Sequence, residues 1–311
     1  MLTQIKIERY KSLYDVTINL EPLTVFIGPN GSGKSNVCEA LEALAQISKG
    51  MFQILPNKFW QGQPASITFS FSIKTNGEIT SYNIVNGIKS TQYFAIFNNI
   101  VIYDFNPASI SIESSMTLKP TGEGLANSLA DILLENHDRF TELEKRFTQL
   151  VPNISRISLK RQPDKKYYSL RLVDKYSDHL IPATDISDGT LRLLAFLTAI
   201  YAVEQPTILC FEEPENGVHP WLLHKIVELL NLVATEGIAG QPVQVLITTH
   251  SPVLLNYVKP EQVRAVELDK EGKTQIHALP LESTRFQAAL EAYDHELGEL
   301  WFTNLLGGNP Q

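Results

Sequence analysis

The chain has 311 residues, 43% of them hydrophobic, and a formal net charge of -8. That is enough apolar material for one or two domains with a sizeable core, and the acidic balance excludes a uniformly basic nucleic-acid coat. No apolar run reaches the ~18 residues of a spanning helix, and the opening MLTQIKIERYKSLYDV interleaves charges with apolar residues, unlike a leader. The two cysteines, Cys38 and Cys210, lie in apolar segments without metal-ligand spacing. A cytosolic, cytoplasmic protein with buried thiols and no membrane partner is expected.

Ile5 and Ile7, then Val16, Ile18 and Leu20, alternate with polar residues and predict two opening strands. The continuous run LTVFI (23–27) predicts a buried strand, and from Ser35 the positions Val37, Ala40, Leu41 and Leu44 follow helical spacing. Residues 65–103 read as β-rich: Ile67, Phe69, Phe71 and Ile73 alternate, Asn76-Gly77 supplies a turn, and NIVIYDF (99–105) is a further strand. Residues 125–150 read as two helical pieces broken near ENHD, and 154–175 as a hairpin. A helix (190–203), a buried strand TILCF (207–211), a helix (220–235) and a buried strand VQVLIT (243–248) follow. Strand–helix–strand at this spacing implies a parallel sheet with right-handed crossovers. Residues 263–279 predict a last hairpin around DKEGK.

The stretch GPNGSGKS (28–35) fits the phosphate-loop pattern G-x-x-x-x-G-K-[ST], and it stands between a strand and a helix as such a loop requires. Its glycines let backbone N–H groups approach phosphates, Lys34 reaches the β- and γ-phosphates, and the Ser35 hydroxyl ligates Mg²⁺. Asn30, Gly31, Ser32, Gly33, Lys34, Ser35 and Asn36 are therefore candidate contacts to ATP. TILCFEEPENGVHP (207–220) places Glu212 and Glu213 at the end of a buried strand, the first suited to Mg²⁺ and the second to polarising a water. VLITTHSP (245–252) puts His250 at the end of another, near the same γ-phosphate if the strands are neighbours. In ISDGTLRLLAFLTAIY (186–201) Ser187 and Gly189 open a helix, either as part of a plain N-cap or as a second anion site. Two phosphate-binding loops in one chain suggest a composite site whose halves come from different protomers.

Taken in order, GPNGSGKSN, ISDGT, ILCFEEPE and TTH resemble the Walker A, signature, Walker B and switch-histidine motifs of ABC-type ATPases, over nearly the whole chain. The opening IKIERYKSLYDVTINLEPLTVFIGPNGSGKSN looks like the start of the RecF/SMC/OLD-like group. So do Asn36 after GKS, the HP of EEPENGVHP, ISDGTLRLLA, and the separation of 153 positions from Lys34 to Ser187. In that group the basic-Ser pair, here Lys11 and Ser12, lies near the nucleotide phosphates. The resemblance implies an α/β fold of the P-loop NTPase, ABC-ATPase type, with a mixed or parallel central sheet, an antiparallel β subdomain and a helical signature lobe. It implies one domain over 1–311, with a nucleotide-binding core at 1–110 and 205–311 and a signature lobe at 111–204. This chain departs from the pattern in Glu212, where an aspartate is usual, in Asp188, where transporters often carry glycine, and in His219, where a transporter carries aspartate. No Q-loop glutamine is evident; Asp104 or Asn106 stands nearest that place. No heptad segment predicts an SMC-type rod. The 61 residues after His250 are too few for a TOPRIM nuclease domain, so any nuclease is expected on a separate chain.

The resemblance implies an ATPase that forms a homodimer around two ATP molecules and gates a DNA-directed activity, in DNA repair, genome maintenance or anti-phage defence, with a separate effector protein. A transporter nucleotide-binding subunit shares the four motifs, and a nucleotide sensor with little hydrolysis is compatible with Glu212. For DNA, residues 156–175 hold Arg156, Lys160, Arg161, Lys165, Lys166, Arg171 and Lys175 against only Asp164 and Asp174, with Tyr167 and Tyr168 among them. This is either a phosphate-gripping patch or a solvated hairpin. At the C-terminal end Leu300, Trp301, Phe302, Leu305 and Leu306 must pack on the core or dock a partner.

Overall fold

The alternating N-terminal segment folds as β1 (Leu2–Tyr10) and β2 (Leu13–Asn19), paired antiparallel with Ile5 opposite Ile18 and Ile7 opposite Val16. The computed structural model describes residues 1–49, 67–75, 77–85, 95–97, 99–111, 115–162, 167–204, 206–238, 240–303 and 305–306. The chain forms two compact units, one of Met1–Ile102, Pro206–Glu213 and Leu223–Gln311, the other of Tyr103–Gln205 and Pro214–Leu222.

In the first unit, β4 (Thr68–Thr75) and β5 (Glu78–Val85) extend the opening pair to a four-stranded antiparallel sheet, order β2-β1-β4-β5. Gly77, at φ 89°, lies between β4 and β5; Asn76 of the expected turn is outside the described residues. A register shift between Leu2 and Gln4 keeps Leu2 and Ile5, three residues apart, on the same buried face.

The second sheet of this unit has six strands. It runs β13 (Thr274–Ala278), β12 (Val263–Leu268), β3 (Leu23–Ile27), β11 (Gln244–Thr249), β10 (Ile208–Glu212) and β6 (Ile100–Tyr103). β12, β3, β11 and β10 are mutually parallel, as continuous apolar runs require. The hairpin expected at 263–279 is thus the edge of the main sheet, because β12 also pairs with β3.

Helix α1 (Lys34–Ser48) belongs to the cores of both sheets. Its Val37, Cys38, Leu41 and Leu44 are buried in one cluster with Ile5, Ile7, Phe69 and Phe71 of the first sheet and Cys210 and Leu246 of the second. Each such aliphatic side chain contributes about 1.5–3 kcal/mol of burial. Val25, Phe211, Val245 and Ile247, at the alternate positions, are equally buried on the side where α6 (Leu223–Thr235) packs. α6 starts at Leu223 rather than at 220, because Pro220–Leu222 form a tighter 3-10 turn first. At the C-terminal end α7 (Pro252–Leu255), α8 (Thr284–Ala292) and α9 (Leu297–Phe302) follow. Leu300 and Leu306 are buried, Trp301 and Leu305 half-buried, and Phe302 stays exposed.

The second unit opens with α2 (Pro107–Ile110). It continues with α3 (Leu125–Glu135) and α4 (His137–Leu150), which break at Asn136, whose side chain accepts a hydrogen bond from Arg139 N and caps α4. β7 (Ile154–Arg161) and β8 (Tyr168–Asp174) form the expected hairpin. A third strand, β9 (Leu180–Pro182), pairs with β8; its three residues carry too little alternation to be read from sequence. α5 spans Asp188–Ile200, two residues earlier at its start than the apolar pattern suggests, because Ser187 caps it. From Leu193 to Ile200 every residue of α5 is buried.

Cys38 and Cys210 meet between α1 and β10, both fully buried, and their contact and burial push the Cys38 thiol well above its ordinary pKa. A thiol so placed is inert. The native protein should therefore release no chromophore from a disulfide thiol reagent, and both cysteines should react after denaturation. Fast reaction of either in the native state would contradict this packing.

Candidate nucleotide site

Gly28, the residue after β3, is glycine because a Cβ there would sit 2.0 Å from the Val266 carbonyl oxygen of β12. Gly33, at φ 102°, caps α1 with no side-chain cap, and no acidic residue occupies the first turn, so the positive end of the helix faces the loop unopposed. Asn30 and Gly31 form the exposed tip, and Ser32 N donates to Pro29 O at 3.3 Å. Lys34 is 5% exposed, its ammonium donating to the carbonyls of Gly28 and Pro29 at 2.9 Å each. The Ser32 hydroxyl is buried with no hydrogen-bond partner among the described residues. An anion at the helix end would lie beside the lysine and give this hydroxyl a partner.

The residues preceding the loop brace it. Lys11, at φ 50° in the turn between β1 and β2, pairs its ammonium with Glu39 of α1. Ser12 accepts from Asn36 Nδ2 at 2.7 Å and lies 2.6 Å from the Thr274 hydroxyl.

Glu212 ends β10 opposite Thr248 of β11, and its Oε2 accepts a hydrogen bond from the Ser35 hydroxyl at 3.0 Å. A serine hydroxyl beside a carboxylate is a hard-oxygen pair suited to Mg²⁺, which takes one or two protein ligands and completes its shell with phosphate and water. Glutamate reaches Ser35 here despite standing where an aspartate is usual. Among the described residues no cluster of three or more His, Cys, Asp or Glu forms a self-sufficient metal cage.

Glu213 has φ 46°, left-handed for a residue with a Cβ. Such a conformation costs on the order of 1–3 kcal/mol and persists only where its surroundings enforce it. Here its N–H donates to Thr248 O at 2.9 Å. The carboxylate Oε1 lies 3.1 Å from His250 Nε2. Burial, then the Lys34 ammonium, hold the His250 imidazole below its ordinary pKa, against the opposing influence of the Glu213 carboxylate and the Gly28 carbonyl. Lys34, Ser35, Glu212, Glu213 and His250 thus meet at the C-terminal ends of the parallel strands β3, β11 and β10.

Ser187 and Gly189 belong to the second unit. Ser187 is exposed, and its hydroxyl caps α5 at Thr190 N. Gly189 is glycine because a Cβ would lie 2.0 Å from Gly217 O, so the signature turn and the segment around Gly217 touch backbone to backbone. Asn106 caps α2, and Asp104 N donates to Pro120 O. On β7 and β8, Arg156, Lys160 and Arg171 lie on the face opposite buried Ile157 and Leu172, with Arg161 opposite Tyr168; Lys165 and Lys166 are outside the described residues. Thr274 and Gly217 are the parts of this geometry that sequence reading missed. A lone threonine after a turn and a glycine among prolines carry no pattern.

Residues 23–256 match the family described as "AAA domain, putative AbiEii toxin, Type IV TA system". The chain belongs to this family. Its fold is that of a P-loop ATPase of the ABC type. The AAA-family chain is 22% identical over 248 residues to the "Probable branched-chain amino acid transport ATP-binding protein LivG" of Methanocaldococcus jannaschii, covering 78% of this chain and 75% of that one. Its fold is shared with an SMC head bound to the C-winged helix domain of ScpA (15% identity, 90% of this chain and 98% of that chain, TM-score 0.60). It is shared too with the SMC head of Thermotoga maritima (15%, 89% and 98%, TM-score 0.53). A third is an SMC head with an extended coiled coil, bound to the C-terminal domain of ScpA derived from Pyrococcus furiosus (14%, 94% and 99%, TM-score 0.60).

The charges around His250 set the direction of its titration. Followed by imidazole chemical shifts, His250 should protonate below the ordinary value of about 6.5. Lys34→Ala removes a neighbouring positive charge and should raise that pKa; Glu213→Gln removes the opposing carboxylate and should lower it further. Shifts of the reverse sign would show that the imidazole does not share a field with these two residues.

Proposed function

We propose that this ABC-type ATPase binds ATP with Mg²⁺, closes into a homodimer around two nucleotides, and hydrolyses them to gate an activity on DNA carried by a partner protein. The observation that carries the reading is the Glu213–His250 pair at 3.1 Å, beside the Lys34 ammonium and the Ser35–Glu212 contact. Ser35 and Glu212 would hold Mg²⁺, which when bound would supply positive charge to the phosphates. Lys34 and the loop N–H groups bind the β- and γ-phosphates. Glu213 accepts a proton from the attacking water, and His250, near the γ-phosphate, holds that carboxylate in place through Nε2. Lys11 and Ser12 support the phosphates from the neighbouring turn.

The exposed Ser187 hydroxyl and the start of α5 present an anion site to a second protomer, so the γ-phosphate of one bridges to the other until hydrolysis releases it. Two of the SMC heads that share the fold are bound to ScpA, which supports a protein partner here; a nuclease is the effector we favour. Buried free thiols favour action in the reducing cytoplasm. The likeness to LivG keeps a transport motor as the second reading, which recovery with an integral membrane partner would support.

Turnover and dimerisation measured together test the site. Glu213→Gln should lower turnover by ~10²–10⁴-fold while nucleotide still binds, and light scattering should find it as a dimer with ATP. Ser187→Arg should bind ATP yet remain monomeric. Unchanged turnover in the first, or normal dimerisation in the second, would remove the corresponding half of the reading.

Arg156 and Lys160 are exposed cations on the β7–β8 face that also carries Arg171. Replacing all three with Ala should weaken DNA binding and flatten its dependence on salt, since fewer counterions are released. Absence of wild-type DNA affinity at low salt with ATP and Mg²⁺ would exclude this chain as the DNA-contacting component.

A further inference from the structure

The hairpin of β12 and β13 holds the phosphate loop at both ends. At the entrance Val266 of β12 lies so close to Gly28 that no side chain fits between them. At the exit is Thr274, the first residue of β13, 1% exposed and part of no recognised motif. Its hydroxyl donates to Ser32 O at 2.8 Å and lies 2.6 Å from Ser12 Oγ. It fills the space left by Gly33, where a Cβ would be 2.2 Å from the threonine oxygen. Its backbone N–H donates to Ser12 O at 2.9 Å, locking the strand to the β1–β2 turn.

These bonds form a chain with only one consistent proton order. Asn36 Nδ2 donates to Ser12 Oγ, Ser12 donates to Thr274 Oγ1, and Thr274 donates to Ser32 O. Each hydroxyl gives its one proton and accepts one. The end of the chain is the carbonyl of the Ser32–Gly33 peptide. A trans peptide carries its N–H on the side opposite its C=O. Drawing the Ser32 carbonyl toward β13 therefore turns the Gly33 N–H away from β13.

We propose that Thr274 is a positioning residue for nucleotide binding: it sets the plane of the Ser32–Gly33 peptide so that the Gly33 N–H is presented to a nucleotide phosphate. The proposal rests on the nucleotide-binding reading of the loop. Thr274 touches no phosphate itself. Its effect falls on ground-state binding, because the N–H it orients meets the phosphate before and during reaction alike.

The test is ATP affinity by titration calorimetry with Mg²⁺, together with kcat and KM, on the full chain. Thr274→Ala removes the hydroxyl, and Thr274→Ser keeps it while losing the methyl group. The Ala variant should bind ATP roughly ten- to a hundredfold more weakly, the worth of one hydrogen bond to a charged group, with kcat at saturation within about threefold of wild type. The Ser variant should bind within about twofold of wild type. Thr274→Val, of similar shape and without the hydroxyl, repeats the measurement if the Ala variant melts too low to assay. Wild-type affinity in the variants lacking the hydroxyl, a Ser variant as weak as Ala, or a loss confined to kcat would overturn the assignment. Lys34→Ala is measured alongside. If it binds ATP as wild type does, the nucleotide reading of the loop fails; if it loses binding while Thr274→Ala keeps it, only the role of Thr274 fails.

Discussion

The parallel pairing of β3, β11 and β10 is the constraint on which the site depends. Ile27 stands opposite Thr249, and Thr248 opposite Glu212, so the three strands end almost level. The residues that leave them, Gly28, His250 and Glu213, then emerge at one end. An antiparallel partner would deliver its residue to the far end of the sheet, and a slip of one position would turn every side chain of a strand to the wrong face. Because the sheet is covered on both faces, by α1 and by α6, its register is held by burial on each side.

That end of the buried sheet gathers opposite charges. Lys34 is almost wholly buried, yet its ammonium is bonded to two loop carbonyls, as a charge in such a place must be. The same ammonium suppresses protonation of His250, while Glu213 opposes it. The left-handed backbone at Glu213 is part of this arrangement. The Glu213 N–H still makes the ladder bond to Thr248 O, and the chain turns out of the line of β10 only after it. A strained residue held by a backbone bond to the neighbouring strand is a rigid mount for a carboxylate, which is useful where a fraction of an ångström matters.

The second unit applies other means. α5 is buried along nearly its whole length, so its position is decided by packing, and its polar start is left to carry Ser187. Gly189 lies against Gly217 with no room for a methyl group on the former. Within this unit the signature turn and the segment around Gly217 therefore cannot move independently without parting two backbones in contact.

Local pattern was enough to find the strands, most helices, the loop and the acidic pair, because each is announced within a few residues by an apolar run or a glycine. His250, just past the run VQVLIT, was singled out only through the expected neighbourhood of its strand and the one carrying Glu213, since a histidine in such a place is by itself as easily a cap or a core residue. Local pattern did not show β9, which is too short to alternate, or that β12 joins β3, since pairing partners are not written in a strand's own residues. Nor did it single out Thr274, which lies 242 residues from Ser32 along the chain yet donates to its carbonyl in the fold. By itself the sequence determined which segments bury and which residue types stand at their ends, because hydrophobic periodicity and backbone freedom are local properties. Only the tertiary structure decided which of those ends meet, because register, close backbone approach and hydrogen-bond direction arise between segments far apart in the chain.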